Sequence, residues 1–193
     1  GARAVIILEN FASTLVHCIA HTQVEHVILA SMGDRMGFKG AIVNLVVRHV
    51  KKMVPAFHLP KAVSFKHALN AYPVSQFNKP DITLEDVAVL QYTGGTTGVA
   101  KGAVLLHRNV VANVCQAEAW FKPGIESKPL HHQLGFVCAL PLYHIFAFTV
   151  NMMLGAKLGG KNILLPNPRD LPSVIKELKN HTFHAFPGVN TLF

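Results

Sequence analysis

The sequence predicts an α/β fold with a mainly parallel sheet, on three observations. Short β-branched runs alternate along the chain with stretches of helical periodicity. Half of the 193 residues are hydrophobic and 15% are charged, which excludes an intrinsically disordered chain. A Gly/Thr-rich run follows one predicted strand directly, as ligand loops do in open α/β sheets.

The elements follow in order. Residues 4–8 (AVIIL) form an apolar strand. Asn10 is placed to cap a helix with Phe11, Leu15, Cys18 and Ile19 on one face. Residues 26–30 form a second strand. Residues 40–54 carry Ile42, Leu45, Val46, His49, Val50 and Met53 at helical spacing. Residues 55–80 are punctuated by proline, with a short helix at 64–69. A strand at 87–92 precedes the Gly/Thr run, and a strand at 103–106 follows it. Residues 107–121 suit a helix with Val110, Val111, Val114, Ala117 and Phe121 inward. A strand at 162–165 leads to Asp170. That residue caps a helix with Leu171, Val174, Ile175 and Leu178 on one face. Residues 183–186 read as the last strand.

Residues 134–156 hold no charged side chain and are long enough to span a bilayer. Pro141, Tyr143, His144 and Asn151 interrupt them. A strand at 135–140 and a helix at 143–154, both buried in an α/β core, explain the run better. Cys18, Cys115 and Cys138 stand far apart, which argues against a zinc ribbon and a disulfide framework. Buried, reduced thiols in a cytoplasmic protein are the expectation. Both ends of the sequence are apolar, and a single α/β domain or subdomain over 1–193, cut from a longer protein at both ends, is expected.

The chemistry concentrates in residues 92–102, YTGGTTGVAKG. Glycines let backbone approach a ligand closely, and successive N–H groups then form an anion-binding nest. The hydroxyls of Thr93, Thr96 and Thr97 add donors, and Lys101 adds a compact cation. These are the parts needed to hold a polyphosphate. A Walker A loop is excluded, because Lys101 follows Ala100 and precedes Gly102. The G-x-G-x-x-G dinucleotide pattern is absent as well. A bare turn between strands is the competing reading.

This run resembles the signature loop of the AMP-forming adenylating enzymes, which include acyl-CoA synthetases, luciferases and peptide-synthetase adenylation domains. His107-Arg108-Asn109 and Pro141-Leu142-Tyr143-His144-Ile145-Phe146 resemble further motifs of that family. Asn167-Pro168-Arg169-Asp170 and Gly188-Val189-Asn190-Thr191-Leu192-Phe193 resemble its long-chain fatty acid-CoA ligases. The resemblance covers essentially the whole chain. It implies a Rossmann-like, doubly wound piece of the family's N-terminal domain.

The resemblance also implies a reaction. A fatty acid is activated by ATP to acyl-AMP and then transferred to coenzyme A, with Mg2+ whose ligand is expected outside this chain. Thr93, Gly94, Gly95, Thr96, Thr97, Gly98 and Lys101 inherit the phosphate-binding role, and Lys101, Thr96 and His144 are the implied catalytic residues. His144 and Phe146 are placed beside the acyl or adenylate group, with Gly188 and Val189 as further substrate contacts. Taken by itself, His144 reads more simply as a core histidine, and Phe146 as packing. The family's magnesium glutamate, ribose aspartate and C-terminal lysine have no counterpart in this sequence, so the isolated chain is expected to lack turnover. Gly94 stands where many members carry Ser, and Leu106 where Thr or Ser precedes the His. The alternatives are another acyl- or aryl-acid ligase of the family and a non-catalytic nucleotide-binding module.

Charge suggests one more partner. Residues 35–80 contain eight Lys and Arg and no Asp or Glu. If 40–54 is helical, Arg48, Lys51 and Lys52 share a face. An anionic membrane surface is the expected target, with the protein peripheral at the inner membrane face. The coenzyme A phosphates compete for that role, as does a merely solvated face. No nucleic acid is expected, because no aromatic platform is interleaved with these charges.

Overall fold

A computed structural model describes residues 1–93, 101–127 and 132–190. It divides into two compact units, Gly1–Pro80 and Asp81–Phe193, each described by itself.

In the first unit, β1 (Ala4–Leu8) leads through a 3-10 turn into α1 (Ala12–Cys18), then β2 (His26–Ala30), α2 (Gly37–Leu45), β3 (Val63–Ser64) and α3 (Phe65–Asn70). The strands form one parallel sheet with β2 in the centre, pairing Val5 with Val27 and Ile28 with Val63. Helical crossovers between parallel strands are what the alternating pattern requires. Ser64 caps α3 by accepting from the His67 amide at 3.2 Å, as the 64–69 helix needs.

Two expectations for this unit need correction. Asn10 lies inside the 3-10 turn, so it cannot cap α1; its side-chain amide donates to the Met53 carbonyl at 3.0 Å. Ala12 and Leu15 are the buried residues of α1, while Phe11 is exposed.

The helix at 40–54 also turns differently. α2 continues as a π-helical turn over Val46–Val50. Ile42, Leu45 and Val50 are exposed, at 52%, 57% and 66%, and Gly40 and Val47 face inward. The cause is local. A Cβ on Gly40 would lie 1.9 Å from the Gly33 carbonyl oxygen, so the backbones touch there and select the buried face. Arg48, Lys51 and Lys52 do not form one basic face. Arg48 is bound to Glu9, the helical turn ends at Val50, and Lys52 takes φ 50°.

The second unit contains β4 (Val87–Thr93), β5 (Lys101–Leu106), α4 (His107–Glu126), β6 (Gly135–Cys138), α5 (Ile145–Ala147), α6 (Gly155–Lys157), β7 (Lys161–Leu164) and α7 (Leu171–Asn180). A π-helical stretch, Phe148–Leu154, joins α5 to α6. β6 and β7 are parallel, whereas β4 and β5 form an antiparallel pair. The α/β class and mainly parallel pairing are therefore present, with an antiparallel pair flanking the Gly/Thr run.

The expected strand at 183–186 is reduced to a parallel bridge between Ala185 and Phe136. β6 ends at Cys138, before the expected 140. Val137, Ala139, Ile163 and Leu165 form the core, against which Val174, Leu178 and Phe186 pack. Leu171 and Ile175 of α7 are exposed, so only half of the predicted face is used. Val111 of α4 is likewise exposed, and Val114 is buried. Asp170 caps α7 through the Ser173 amide, as expected.

Asn151 joins the π-helical stretch to the sheet. It is fully buried, and its side-chain amide donates to the Val137 carbonyl at 3.0 Å. The Asn162 side chain donates in turn to the Asn151 carbonyl at 2.8 Å. The apolar run at 134–156 is thus a strand and a helical segment packed together. Among the described residues, no helix is long and apolar enough to cross a membrane.

Candidate active site

The Gly/Thr run is held at its base by β4 and β5. Their register places Thr93 opposite Lys101 and Tyr92 opposite Gly102. A Cβ on Gly102 would sit 3.3 Å from the Tyr92 ring, so this glycine admits the ring of its cross-strand neighbour. Gly94, Gly95, Thr96, Thr97 and Gly98 lie outside the described residues. Of the loop's expected ligands, the structure places the Thr93 backbone and Lys101 at its two ends.

Support below the loop comes from the start of α4. The His107 and Arg108 amides donate to the carbonyls of Asp86 and Leu84, each at 3.0 Å. Asp86 accepts from the Thr83 amide at 2.7 Å and from its hydroxyl at 2.9 Å. These hydrogen bonds hold the Asp86 carboxyl below its ordinary value of 3.8. Leu106 has no hydroxyl to cap α4. Its own amide is taken instead by Asn109 Oδ1 at 2.9 Å, the reciprocal half of a capping box.

His144 precedes α5 and is exposed. Its Nδ1 accepts from the Phe146 amide at 3.3 Å. In the neutral ring that bond leaves the proton on Nε2, which becomes a donor for an incoming group. His144 is therefore not the core histidine of the simpler reading. Phe146 is half-buried at the head of the helical segment.

The connection between the two motifs runs through Gln91, which sequence reasoning missed. Its side-chain amide donates to the Tyr143 carbonyl at 3.3 Å, beside His144, and to the Tyr92 carbonyl at 3.3 Å. The strand that leads into the Gly/Thr run is thereby tied to the loop that carries His144. No sequence signal marks Gln91 beyond its place two residues before Thr93.

Gly188 and Val189 follow the bridge at Ala185. His144 follows β6, so both segments leave the carboxyl edge of the same parallel pairing, where ligands bind in open α/β sheets. Among the described residues, no hydrogen bond ties Gly188 or Val189 to His144. Residues 87–117 contain no Asp or Glu, and among the described residues no three His, Cys, Asp or Glu side chains cluster to hold a metal. The donor set fits phosphate oxygens, not a hard cation.

Comparison with known proteins agrees with this arrangement. Residues 1–193 match the family described as AMP-binding enzyme. The chain is 52% identical over 195 aligned residues to a long-chain-fatty-acid-CoA ligase of Salmonella typhimurium, covering 100% of this chain and 34% of that protein. It is 50% identical over 194 residues to the Haemophilus influenzae long-chain-fatty-acid-CoA ligase, again covering 100% and 34%. The chain thus spans about a third of the length of the curated relatives it matches. A crystal structure of a long-chain-fatty-acid-CoA ligase from Archaeoglobus fulgidus superposes with a TM-score of 0.60 at 21% identity, over 92% of this chain and 28% of that one. That likeness shows a shared fold.

Proposed function

This chain belongs to the AMP-binding enzyme family, and from that premise we propose that the protein containing it is a long-chain fatty acid-CoA ligase. The observation that carries the reading is the pairing of Thr93 with Lys101, which closes a Thr/Gly-rich run at its base. Identity of about half with ligases along the whole chain supports the substrate class.

The reaction has two steps. A fatty acid carboxylate oxygen attacks the α-phosphorus of ATP. The bond from that phosphorus to the bridging oxygen breaks, and pyrophosphate leaves. The sulfur of coenzyme A then attacks the acyl carbon, its proton is lost, and AMP departs.

The chain's own residues act by positioning and by electrostatics. Backbone amides of Gly94, Gly95 and Gly98 and the hydroxyls of Thr93, Thr96 and Thr97 receive the β- and γ-phosphates. Lys101 balances the charge that builds on the leaving pyrophosphate. His144 donates from Nε2 to the carboxylate or the α-phosphate, and Phe146, Gly188 and Val189 line the acyl or adenylate pocket. Magnesium would enter with the nucleotide and shield phosphate charge. The residues here do not fit as its ligands, and no step runs through it.

We place the enzyme in the cytoplasm, peripheral at an anionic membrane where long acyl chains partition. Residues 1–80 hold nine Lys and Arg against three Asp and Glu, which supports that location. Arg48 is spent on Glu9 and is not part of the attractive surface.

The test is an assay of the full-length protein with a long-chain fatty acid, ATP and coenzyme A. The reading requires AMP, pyrophosphate and acyl-CoA in equal amounts. ADP as the nucleotide product, or no thioester, would contradict it.

A further inference from the structure

All three carboxylates of residues 1–80 are committed within that unit. Glu9 pairs with Arg48, Glu25 pairs with Arg3, and Asp34 accepts from the Ser31 amide at 2.8 Å. Nine Lys and Arg share the unit with those three acids. Two of the nine, Arg35 and Lys66, line one cavity of about 460 Å³. Among the described residues, neither side chain makes an ion pair or a hydrogen bond.

The cavity lies beyond the carboxyl ends of β2 and β3, between the loop that follows β2, the start of α2 and α3. Its frame is rigid. The Gly33 and Gly40 backbones touch, and a Cβ on Gly33 would fall 2.1 Å from the Gly40 carbonyl oxygen. The Gly33 amide donates to Asn44 Oδ1 at 2.7 Å, which orients the Asn44 side chain and leaves its Nδ2 as a donor. Arg35 takes φ 68°, a conformation costly for any residue but glycine. Phe65 supplies an apolar wall, and Asn70 a second amide.

We propose that this cavity binds a phosphate ester, with Arg35, Lys66 and the Asn44 amide on the phosphate and Phe65 against the organic part. Two cations with neutral amide donors suit a phosphomonoester dianion. The volume exceeds what a bare phosphate fills and leaves room for an organic portion beside Phe65. Asp34 also lines the cavity, and its bond to Ser31 holds it in the turn. This inference rests on the first unit alone and is independent of the ligase reading.

The test uses the full-length protein and two probes, glycerol 3-phosphate by calorimetry and phosphatidylcholine vesicles containing phosphatidic acid by flotation. The Arg35→Gln/Lys66→Gln variant should weaken binding on the order of tenfold or more. Lys51→Gln/Lys52→Gln, with the same change of charge, should leave glycerol 3-phosphate binding unchanged and should reduce vesicle flotation less than the cavity variant does. Asn44→Asp keeps the acceptor for Gly33 and should lose binding as well, and thermal melts confirm that each variant is folded. This pattern with glycerol 3-phosphate identifies a soluble ester; the same pattern with vesicles alone identifies a lipid headgroup. Equal losses in the two double variants, or no wild-type binding to either probe, overturn the proposal.

Discussion

Thr93 and Lys101 face each other across the β4–β5 pair, so the two ends of the Gly/Thr run are anchored by one antiparallel register. Anchoring matters because a phosphate cradle works by preorganisation. Donors already in place do not have to be reorganised as charge develops on the leaving group. The same strand reaches His144's neighbour through Gln91, which ties the strand before the Gly/Thr run to the segment proposed to meet the acyl group.

That tie is testable. Gln91→Ala removes the neutral hydrogen bond to the Tyr143 carbonyl, worth about 0.5–1.5 kcal/mol, together with the one to the Tyr92 carbonyl on its own strand. Fatty acid-dependent ATP–pyrophosphate exchange by the full-length enzyme should fall by roughly two- to tenfold in kcat/KM. An unchanged value would mean that the bond to the Tyr143 carbonyl does not position His144.

The start of α4 depends on Asn109. Asn109→Ala leaves the Leu106 amide without its acceptor and should cost about 1 kcal/mol in thermal or urea unfolding. Asn109→Asp keeps an acceptor and adds favourable charge at a helix N-terminus, so it should retain wild-type stability or exceed it. Equal losses in both variants would contradict the capping role.

Glu9 is 7% exposed, and Arg48 Nε lies 3.0 Å from each of its carboxylate oxygens. Arg48 also donates to the Ser31 hydroxyl at 3.0 Å, joining β1, β2 and the helical segment between them and β3. Glu9→Gln should destabilise by about 1–3 kcal/mol, because it turns charge-assisted bonds into weaker ones. A melting temperature equal to wild type would show the pair to be incidental.

Cys138 is buried, and burial raises its thiol above the ordinary value of 9.0, whereas Cys18 and Cys115 are exposed. Above pH 9 the unfolded chain releases this proton while the folded chain keeps it. The unfolded state then binds fewer protons, so stability falls as pH rises. Alkylation followed by mass spectrometry should label Cys18 and Cys115 well before Cys138, and Cys138→Ser should flatten part of the alkaline loss. Equal labelling rates at the three thiols would contradict the burial.

Much of this was legible in the sequence where a local rule governs. The apolar runs of β1 and β2, and the cap at Asp170, depend on side chains close in sequence. Reading failed where a contact outside the element itself decides. The Gly33–Gly40 backbone contact selects the buried face of α2, and nothing in the periodicity of 40–54 reveals it. The 3-10 turn displaced Asn10 from its expected cap. The strands on either side of the Gly/Thr run were legible, but their antiparallel pairing was not, because apolar strand composition does not encode direction. Gln91 was missed for a similar reason. Its partner carbonyl at Tyr143 lies 52 residues away in the chain.

The most direct test of the central claim is ATP–pyrophosphate exchange by the full-length protein carrying Thr96→Ala and Thr97→Ala. If these hydroxyls stabilise the departing pyrophosphate, each should contribute about 2–4 kcal/mol to the transition state, and exchange should fall by at least a hundredfold. Exchange at the wild-type rate in the folded double variant would contradict the account.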